Sequence, residues 1–242
     1  MVNMLNSPRL VEPEILDELA VGDPRARRSR QDLRRIHRAM ASLSIMERAL
    51  DRATSGSRPR TILELGAGDG SLMLRLARRR AGRWPEVKVT LLDRLDSIEK
   101  KTLQGFHDLG WQPNVITADI SEWVTRPSVQ TWDIVIANLF MHHFPGASLG
   151  RLVPAIAAKS QIFFCCEPRR SAMALAASHL VGLIGAGPVT RQDAVLSVHA
   201  GFRKRELSAF WPATDPGFWQ LHEYGAGLFS HVFLASRTSR PA

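Results

Sequence analysis

The stretch TILELGAGDGS, Thr61 to Ser71, decides how this chain is read. A β-like apolar run breaks into glycines at alternate positions, Gly66, Gly68 and Gly70, and then opens into a helical pattern. Glycine-rich strand-to-helix turns hold phosphates, dinucleotides or other adenosine-bearing ligands. A phosphate-binding loop needs Gly-Lys-Ser/Thr after its glycines, but Gly70 is followed by Ser71 and Leu72. A dinucleotide fingerprint needs Gly or Ala where Ser71 stands. Glu64, two residues before the first glycine, aims a carboxylate at whatever the turn cradles. That charge repels a pyrophosphate and favours a ligand with a cationic end.

Outward from this turn, short β-rich runs alternate with helix-length segments. The runs are TILEL (61–65), VKVTLLD (87–93), NVITADI (114–120), DIVIANL (133–139) and IFFCCEP (162–168). They are apolar on both faces, as strands of a helix-covered parallel sheet are. Segments such as GSLMLRLARRRAG (70–82) and GRLVPAIAAKS (150–160) suit crossover helices. Two later runs, ELSAFWP (206–212) and AGLFSHVFLAS (226–236), complete about seven strands. The pattern predicts an α/β fold: a doubly wound, mostly parallel seven-stranded sheet with an N-terminal helical extension. Its ligand lies at the carboxyl ends of the strands.

Residues 13–53 read as two helical pieces, opened by Pro13 and broken at VGDPR (21–25). The second piece carries Leu33, Ile36, Met40, Leu43, Met46 and Leu50 at spacings of three and four, one apolar stripe. The expected division is a helical cap over 1–57 and a ligand-binding domain over 58–242, with a helical insert at about 171–203.

At 242 residues the chain buries roughly 70–75% of its unfolded surface and needs no disulfide or metal to stand. Cys165 and Cys166 are adjacent in a strand and read as core residues of a protein in a reducing compartment. The N-terminal residues lack the pattern of a secretory signal. The longest apolar run, 172–187, is interrupted by His179 and by Gly182, Gly185 and Gly187, short of the ~20 residues of a membrane span. These features predict a soluble, cytoplasmic protein. The net charge of +9 concentrates in Arg25–Arg38 and Arg75–Arg83, read first as solvated helix faces and second as a surface for an acidic partner.

Two further acids refine the ligand. Asp93 ends the second strand, where a carboxylate takes both hydroxyls of a ribose. Asp119, in TADI, is placed to accept from the exocyclic amine of a purine. Together with Glu64 they fit S-adenosylmethionine, which is cationic and carries no phosphate. The constellation resembles the class I S-adenosylmethionine-dependent methyltransferases. Their first motif, E/D-x-G-x-G-x-G, is matched by Glu64, Gly66, Gly68 and Gly70; the acidic strand end by Asp93; the next element by Ala118, Asp119 and Ile120; and the fourth by WDIVIANLFMHHF (132–144). The resemblance spans roughly Arg60 to Pro168. It implies cofactor contacts from Glu64, Gly66, Ala67, Gly68, Gly70, Asp93, Arg94, Asp119, Ile120, Asn138 and Leu139.

The acceptor is less legible. Family members that methylate adenine or glutamine amides carry [D/N]-P-P-[Y/F] after the fourth strand, where this chain has NLFMHHF (138–144). HHF looks more like small-molecule methyltransferases acting on quinones or phenols. His142 or His143 is a candidate general base, or else shapes the methionine pocket. No metal is expected, since adjacent histidines seldom converge on one ion and no third ligand lies nearby in sequence. Arg169 and Arg170 are read as solvated, or as holding an acidic acceptor group. The apolar segment AMALAASHLVGLIGAG (172–187) precedes a helix begun by Thr190 and Asp193 and stopped by Gly201. In the resembled family this insert and the N-terminal helices roof the acceptor pocket, and an apolar roof implies an apolar acceptor. Residues 187–212 also look like bacterial methyltransferases that accompany type III polyketide synthases, pointing to phenolic or quinone lipids. The expected activity is O-methylation of a hydrophobic phenol or quinol. The alternative is an RNA methyltransferase or nucleic-acid-binding protein using the basic N-terminal helix, disfavoured because that helix has no interleaved aromatics and no RNA-binding domain is appended.

Overall fold

The computed structural model describes residues 8–20, 22–54, 56–125, 130–213 and 218–238. Three helices, α1 (Ile15–Glu18), α2 (Pro24–Ala39) and α3 (Ser42–Thr54), lead into β1 (Thr61–Leu65). Alternation follows: α4 (Ser71–Arg80), β2 (Lys88–Asp93), α5 (Lys100–His107), β3 (Gln112–Thr117), α6 (Ile120–Thr125), β4 (Trp132–Asn138), α7 (Gly146–Lys159) and β5 (Ser160–Pro168). Then α8 (Ala172–His179) and α9 (Pro188–Ala200) precede a hairpin of β6 (Trp219–Ala226) and β7 (Ser230–Arg237). The sheet runs β3-β2-β1-β4-β5-β7-β6, with β7 antiparallel to both its neighbours and the first five strands parallel. The doubly wound, mostly parallel expectation holds.

Strand periodicity sorts the core into two layers. Ile62, Ile134, Ile136, Phe164 and Cys166 face α3, α4 and α5, packing with Met46, Leu50, Met73, Leu76 and Phe106. Their neighbours Leu63, Val135, Ala137, Phe163 and Cys165 face α6 and α7, packing with Trp123, Leu149, Leu152 and Ile156. Both cysteines are therefore free and fully buried.

Three expectations change. The expected break separates α1 from α2, and Asp23–Pro24 also starts the second helix: the Asp23 carboxylate accepts from Arg25 N and proline stands in the first turn, where no N–H bond is lost. Pro13 precedes only the single turn of α1. A second break, not expected, falls at Ala41, whose φ of 53° turns the chain between α2 and α3 without a glycine or proline to mark it. Leu43, Met46 and Leu50 enter the core from α3, whereas Leu33, Ile36 and Met40 stay on α2 outside it.

The segment ELSAFWP is not a strand. Glu223 accepts from Leu207 N at 3.0 Å and Ser208 N at 2.8 Å, curling it into a 3₁₀ turn over Ser208–Phe210. Trp211 then seals the sheet, 5.9 Å from Phe163 and 5.3 Å from Phe233 between ring centroids. The sixth strand is instead Trp219–Ala226, an edge strand turned back through Gly227 at φ 65°. NVITADI shifts too: β3 starts at Gln112, and Ala118–Ile120 leave the sheet.

The aromatic seal supplies a stability test. Phe163→Ala removes a fully buried ring and is expected to cost about 3–5 kcal/mol in urea unfolding.

Candidate functional site

The loops at the carboxyl ends of β1, β2, β3 and β4 enclose a cavity of about 410 Å³. Of the expected cofactor residues, Glu64, Gly66, Ala67, Gly68, Asp93, Arg94, Asp119, Ile120, Asn138 and Leu139 all line it. Gly70 does not. It caps the start of α4 at φ 69°, facing Leu91, Ile98 and Thr102 under α5.

The glycine turn is fixed by close approach and by one acid. A Cβ on Gly66 would lie 2.2 Å from Phe140 Cδ2, so no other residue fits. Gly68, at φ 54°, has open space where a side chain would project. Asp93 accepts from Gly68 N at 2.7 Å and from Leu95 N at 2.9 Å, tying the turn to the end of β2. Asp119 Oδ1 accepts from Ser121 N at 2.7 Å, holding the start of α6 beside the cavity. Arg94 reaches the other way, donating to Asp17 O at 2.6 Å.

Glu64 is buried in this wall and its Oε2 has no hydrogen-bond partner. Burial, reinforced by the charges of Asp69 and Asp93, holds its carboxyl well above the usual range. Asn138 Oδ1 is likewise buried and unpartnered. Its Nδ2 lies 3.3 Å from His37 Nε2, which desolvation lowers to about 4 and so keeps neutral as the acceptor. A cavity with a buried orphan carboxyl and a buried orphan amide oxygen suits a ligand bearing cationic and polar donors.

The second part of the site follows β4, where Leu139 takes φ 51° and a 3₁₀ turn spans Met141–His143. Its anchor is Glu167, fully buried at the end of β5. Glu167 accepts from Phe140 N (3.2 Å), Met141 N (3.0 Å) and His142 N (3.3 Å), and lies 2.7 Å from His142 Nδ1. On the other side of the ring, His142 Nε2 is 3.3 Å from Glu14 Oε1, which also accepts from Ser197 Oγ. Burial alone would lower the pKa of His142, but hydrogen bonds to Glu14 and Glu167 outweigh it and raise the pKa from 6.5 to about 9. His143 is different: its Nδ1 lies 3.1 Å from Asp17 Oδ2, and it is partly exposed.

Sequence reasoning missed Glu14, Asp17, His37, Glu167 and Ser197. Only Glu167 left a signal, as the charged residue closing an apolar strand. The expectation that no third ligand lies near the histidines is also corrected. Glu14 arrives from the N-terminal segment, and donor atoms of Glu14, His142 and His143 lie within 4.8 Å of one another. The contacts seen place Glu14 and His142 in a hydrogen-bonded chain, Glu167–His142–Glu14–Ser197, and pair His143 with Asp17.

Arg170 is neither solvated nor at the cavity. It is buried, 2.6 Å from Glu206 Oε1, and also donates to Gly201 O. Arg169 is half-buried and donates to Gly227 O. Several residues of the two arginine-rich stretches are ion-paired on the protein itself: Arg34 with Asp69, Arg35 with Asp32, Arg79 with Glu47, and Arg80 and Arg83 with Asp51. Among the described residues no helix is long and apolar enough to cross a membrane.

The histidine geometry predicts a pH dependence. A raised His142 pKa means that its contribution to stability is full below 6.5 and is lost as pH climbs through about 9. Glu14 and Glu167 are held below 4.5, where burial is opposed by bonds to His142, so theirs is lost only in acid. Proton NMR should show His142 titrating near 9. Glu14→Gln is expected to lower that midpoint and flatten the alkaline fall in stability.

No protein-family model and no curated protein matches this chain. Solved structures do. The plantazolicin methyltransferase BpumL, in complex with a monoazolic desmethylPZN analog and SAH, gives a TM-score of 0.58 at 11% identity, covering 86% of this chain and 90% of that one. Magnesium protoporphyrin IX methyltransferase (ChlM) from Synechocystis PCC 6803, with bound SAH, gives 0.52 at 14% identity, with 83% of each chain covered. An O-methyltransferase family protein from Burkholderia thailandensis gives 0.54 at 16% identity over 83% of this chain. This chain spans 58% of the length of that last protein. Such likeness at low identity speaks to architecture, and it agrees with the strand order and the glycine turn: the chain has the seven-stranded Rossmann-like methyltransferase fold.

Proposed function

We propose that the chain is an S-adenosylmethionine-dependent methyltransferase that O-methylates a hydrophobic phenol or quinol. The observation that carries this reading is that one cavity is lined both by Glu64, whose buried Oε2 has no partner, beside the glycine turn, and by His142, whose Nδ1 is held from behind by the buried Glu167. Two of the similar structures hold SAH, which supports the choice of cofactor.

The residues present fit the cofactor. Glu64 receives a cationic amine, and losing its proton to form that pair restores a buried charge balance. Asp93 keeps lone pairs for ribose hydroxyls while holding Gly68 N. Asp119 and Asn138 offer oxygen acceptors to the remaining polar groups. When bound, the cofactor supplies a sulfonium methyl to an in-line nucleophile, and most of the protein's task is alignment, worth up to ~7–11 kcal/mol in favourable systems.

His142 prepares the nucleophile. Glu167 fixes its Nδ1, leaving Nε2 towards Glu14. An acceptor hydroxyl that displaces Glu14 from Nε2 removes one of the two carboxylates that raise the His142 pKa. The ring then becomes neutral nearer physiological pH and takes the hydroxyl proton. His143, paired with Asp17, positions the strap that carries Glu14. The strap and α2, with residues 171–203, roof the acceptor.

Calorimetric titration with S-adenosylhomocysteine, with NAD as control, tests the cofactor. Micromolar binding of the first alone is expected, weakened about tenfold or more by Asp93→Ala or Gly68→Val, since a hydrogen bond to a charged group contributes ~1.5–3 kcal/mol. Binding should release up to one proton, read as a dependence of apparent enthalpy on the buffer, and Glu64→Gln should abolish that release. Absence of saturable binding sinks the reading.

His142→Ala should lower turnover about 10²–10⁴-fold with cofactor affinity kept. Full activity of both His142→Ala and His143→Ala at neutral and mildly alkaline pH would remove the general base.

A further inference from the structure

Between β5 and the final hairpin the chain exposes apolar surface that no other element covers. We propose that the outer face of α8 and the 3₁₀ turn after it, with the arginines beside them, rest on an anionic lipid bilayer. No described helix is long and apolar enough to span one, so the contact is interfacial. This interaction surface is independent of the methyltransferase reading.

The sequence of α8, AMALAASH (172–179), carries no Asp, Glu, Lys or Arg. A helix apolar all round belongs in an interior, yet Ala172, Met173 and Ala176 are exposed. Met173, Ala176 and Leu180 follow at spacings of three and four, so they share the outward face. The 3₁₀ turn Val181–Ile184 continues that face, with Leu183 at 83% and Ile184 at 46% exposure. Seven large apolar side chains are exposed among the described residues. Four of them, Met173, Leu180, Leu183 and Ile184, fall within 173–184, a concentration that marks an interaction site. Leu180, Leu183 and Ile184 also rim a cavity of about 380 Å³ lined in part by Leu33, Ile36 and Met40 of α2, so open space adjoins them on the inner side too.

Charge identifies the occupant. Three glycines of the turn and its exit lie against arginines. A Cβ on Gly182 would come 3.2 Å from Arg191 Nε, one on Gly187 2.9 Å from Arg28 Nε, and one on Gly185 3.9 Å from a guanidinium nitrogen of Arg35. All three arginines are exposed, and Arg35 is paired with Asp32. The only acids of α2 and of residues 171–203 are Asp32 and Asp193, and both are buried. Asp32 accepts from Gly187 N and Asp193 from Ile15 N. The exposed charge these segments present is therefore positive. Apolar side chains flanked by arginines match the acyl boundary and the phosphates of an anionic bilayer. Nucleic acid would leave the leucines uncovered, and neither α2 nor 171–203 exposes a Phe, Tyr or Trp for bases to stack on. A second copy meeting the same face would bring like charges together.

The test mixes the full chain with vesicles of phosphatidylcholine alone, or with about one-third phosphatidylglycerol, and reads the bound fraction by sedimentation. Binding is expected to the anionic vesicles alone and should weaken as salt is raised. Arg28→Gln and Arg191→Gln should each weaken it about fivefold, since an arginine near such a surface is worth ~1 kcal/mol. Leu183→Ser should weaken it about tenfold or more. Circular dichroism checks that each variant is folded. Both native cysteines are buried, so an environment-sensitive dye on Leu183→Cys reports the lip selectively. Its emission should shift to the blue with anionic vesicles, whereas the same dye on Lys101→Cys, in α5, should not shift. Absence of vesicle binding overturns the proposal, as does binding that all three folded substitutions leave unchanged or that leaves the dye at position 183 unshifted. A dimer that Leu183→Ser dissolves, in protein that ignores vesicles, overturns it by giving the lip to a second copy. Binding to polyuridylate in place of vesicles, weakened by Arg28→Gln and not by Leu183→Ser, overturns it in favour of nucleic acid.

Discussion

The site depends on one buried carboxylate. Glu167 sits at 0% exposure and accepts from three successive backbone N–H groups and the His142 ring. A charge taken from water this completely is tolerated only when its lone pairs are filled, and here they are. Those bonds fix the turn after β4. The turn places Phe140 against Gly66, forces Leu139 to positive φ, and points His142 across the cavity. The glycine turn after β1 and the histidine after β4 are thus set by a residue belonging to neither.

Much of the fold was legible because its signals are local. Five apolar runs of strand length spaced by helix-length segments mark a covered parallel sheet, and Glu64 with its glycines marks the ligand edge. Several of the misses share a different cause: polar contacts from residues distant in the sequence. Glu223 curls ELSAFWP into a turn from across the hairpin, although the segment alone has β composition. Asp193, which looked like a helix start, lies in the body of α9 and holds the two N–H groups that begin α1. Glu14 and Asp17 come to the histidines from more than a hundred residues away, and no spacing rule records such a meeting.

The arginine-rich composition has a structural use as well. Arg80 is buried against Asp51 and stacks over Trp84 at 5.2 Å, joining α4 to α3. Arg34 bridges α2 to Asp69 in the glycine turn. The exposed Arg34 pair contributes little by itself, but together the two contacts orient the N-terminal helices. A planar guanidinium serves this better than lysine, because its donors come in a fixed fork.

The bend at Ala41 divides one apolar stripe between two jobs. Downstream of it, Leu43, Met46 and Leu50 are locked into a close-packed interior where any change of volume is felt. Upstream, Leu33, Ile36 and Met40 border open space, where a change of volume meets fewer packed atoms. Selection acting on this chain can therefore reshape what the protein accommodates without renegotiating its stability, so the α2 stripe is where relatives with different preferences should diverge first.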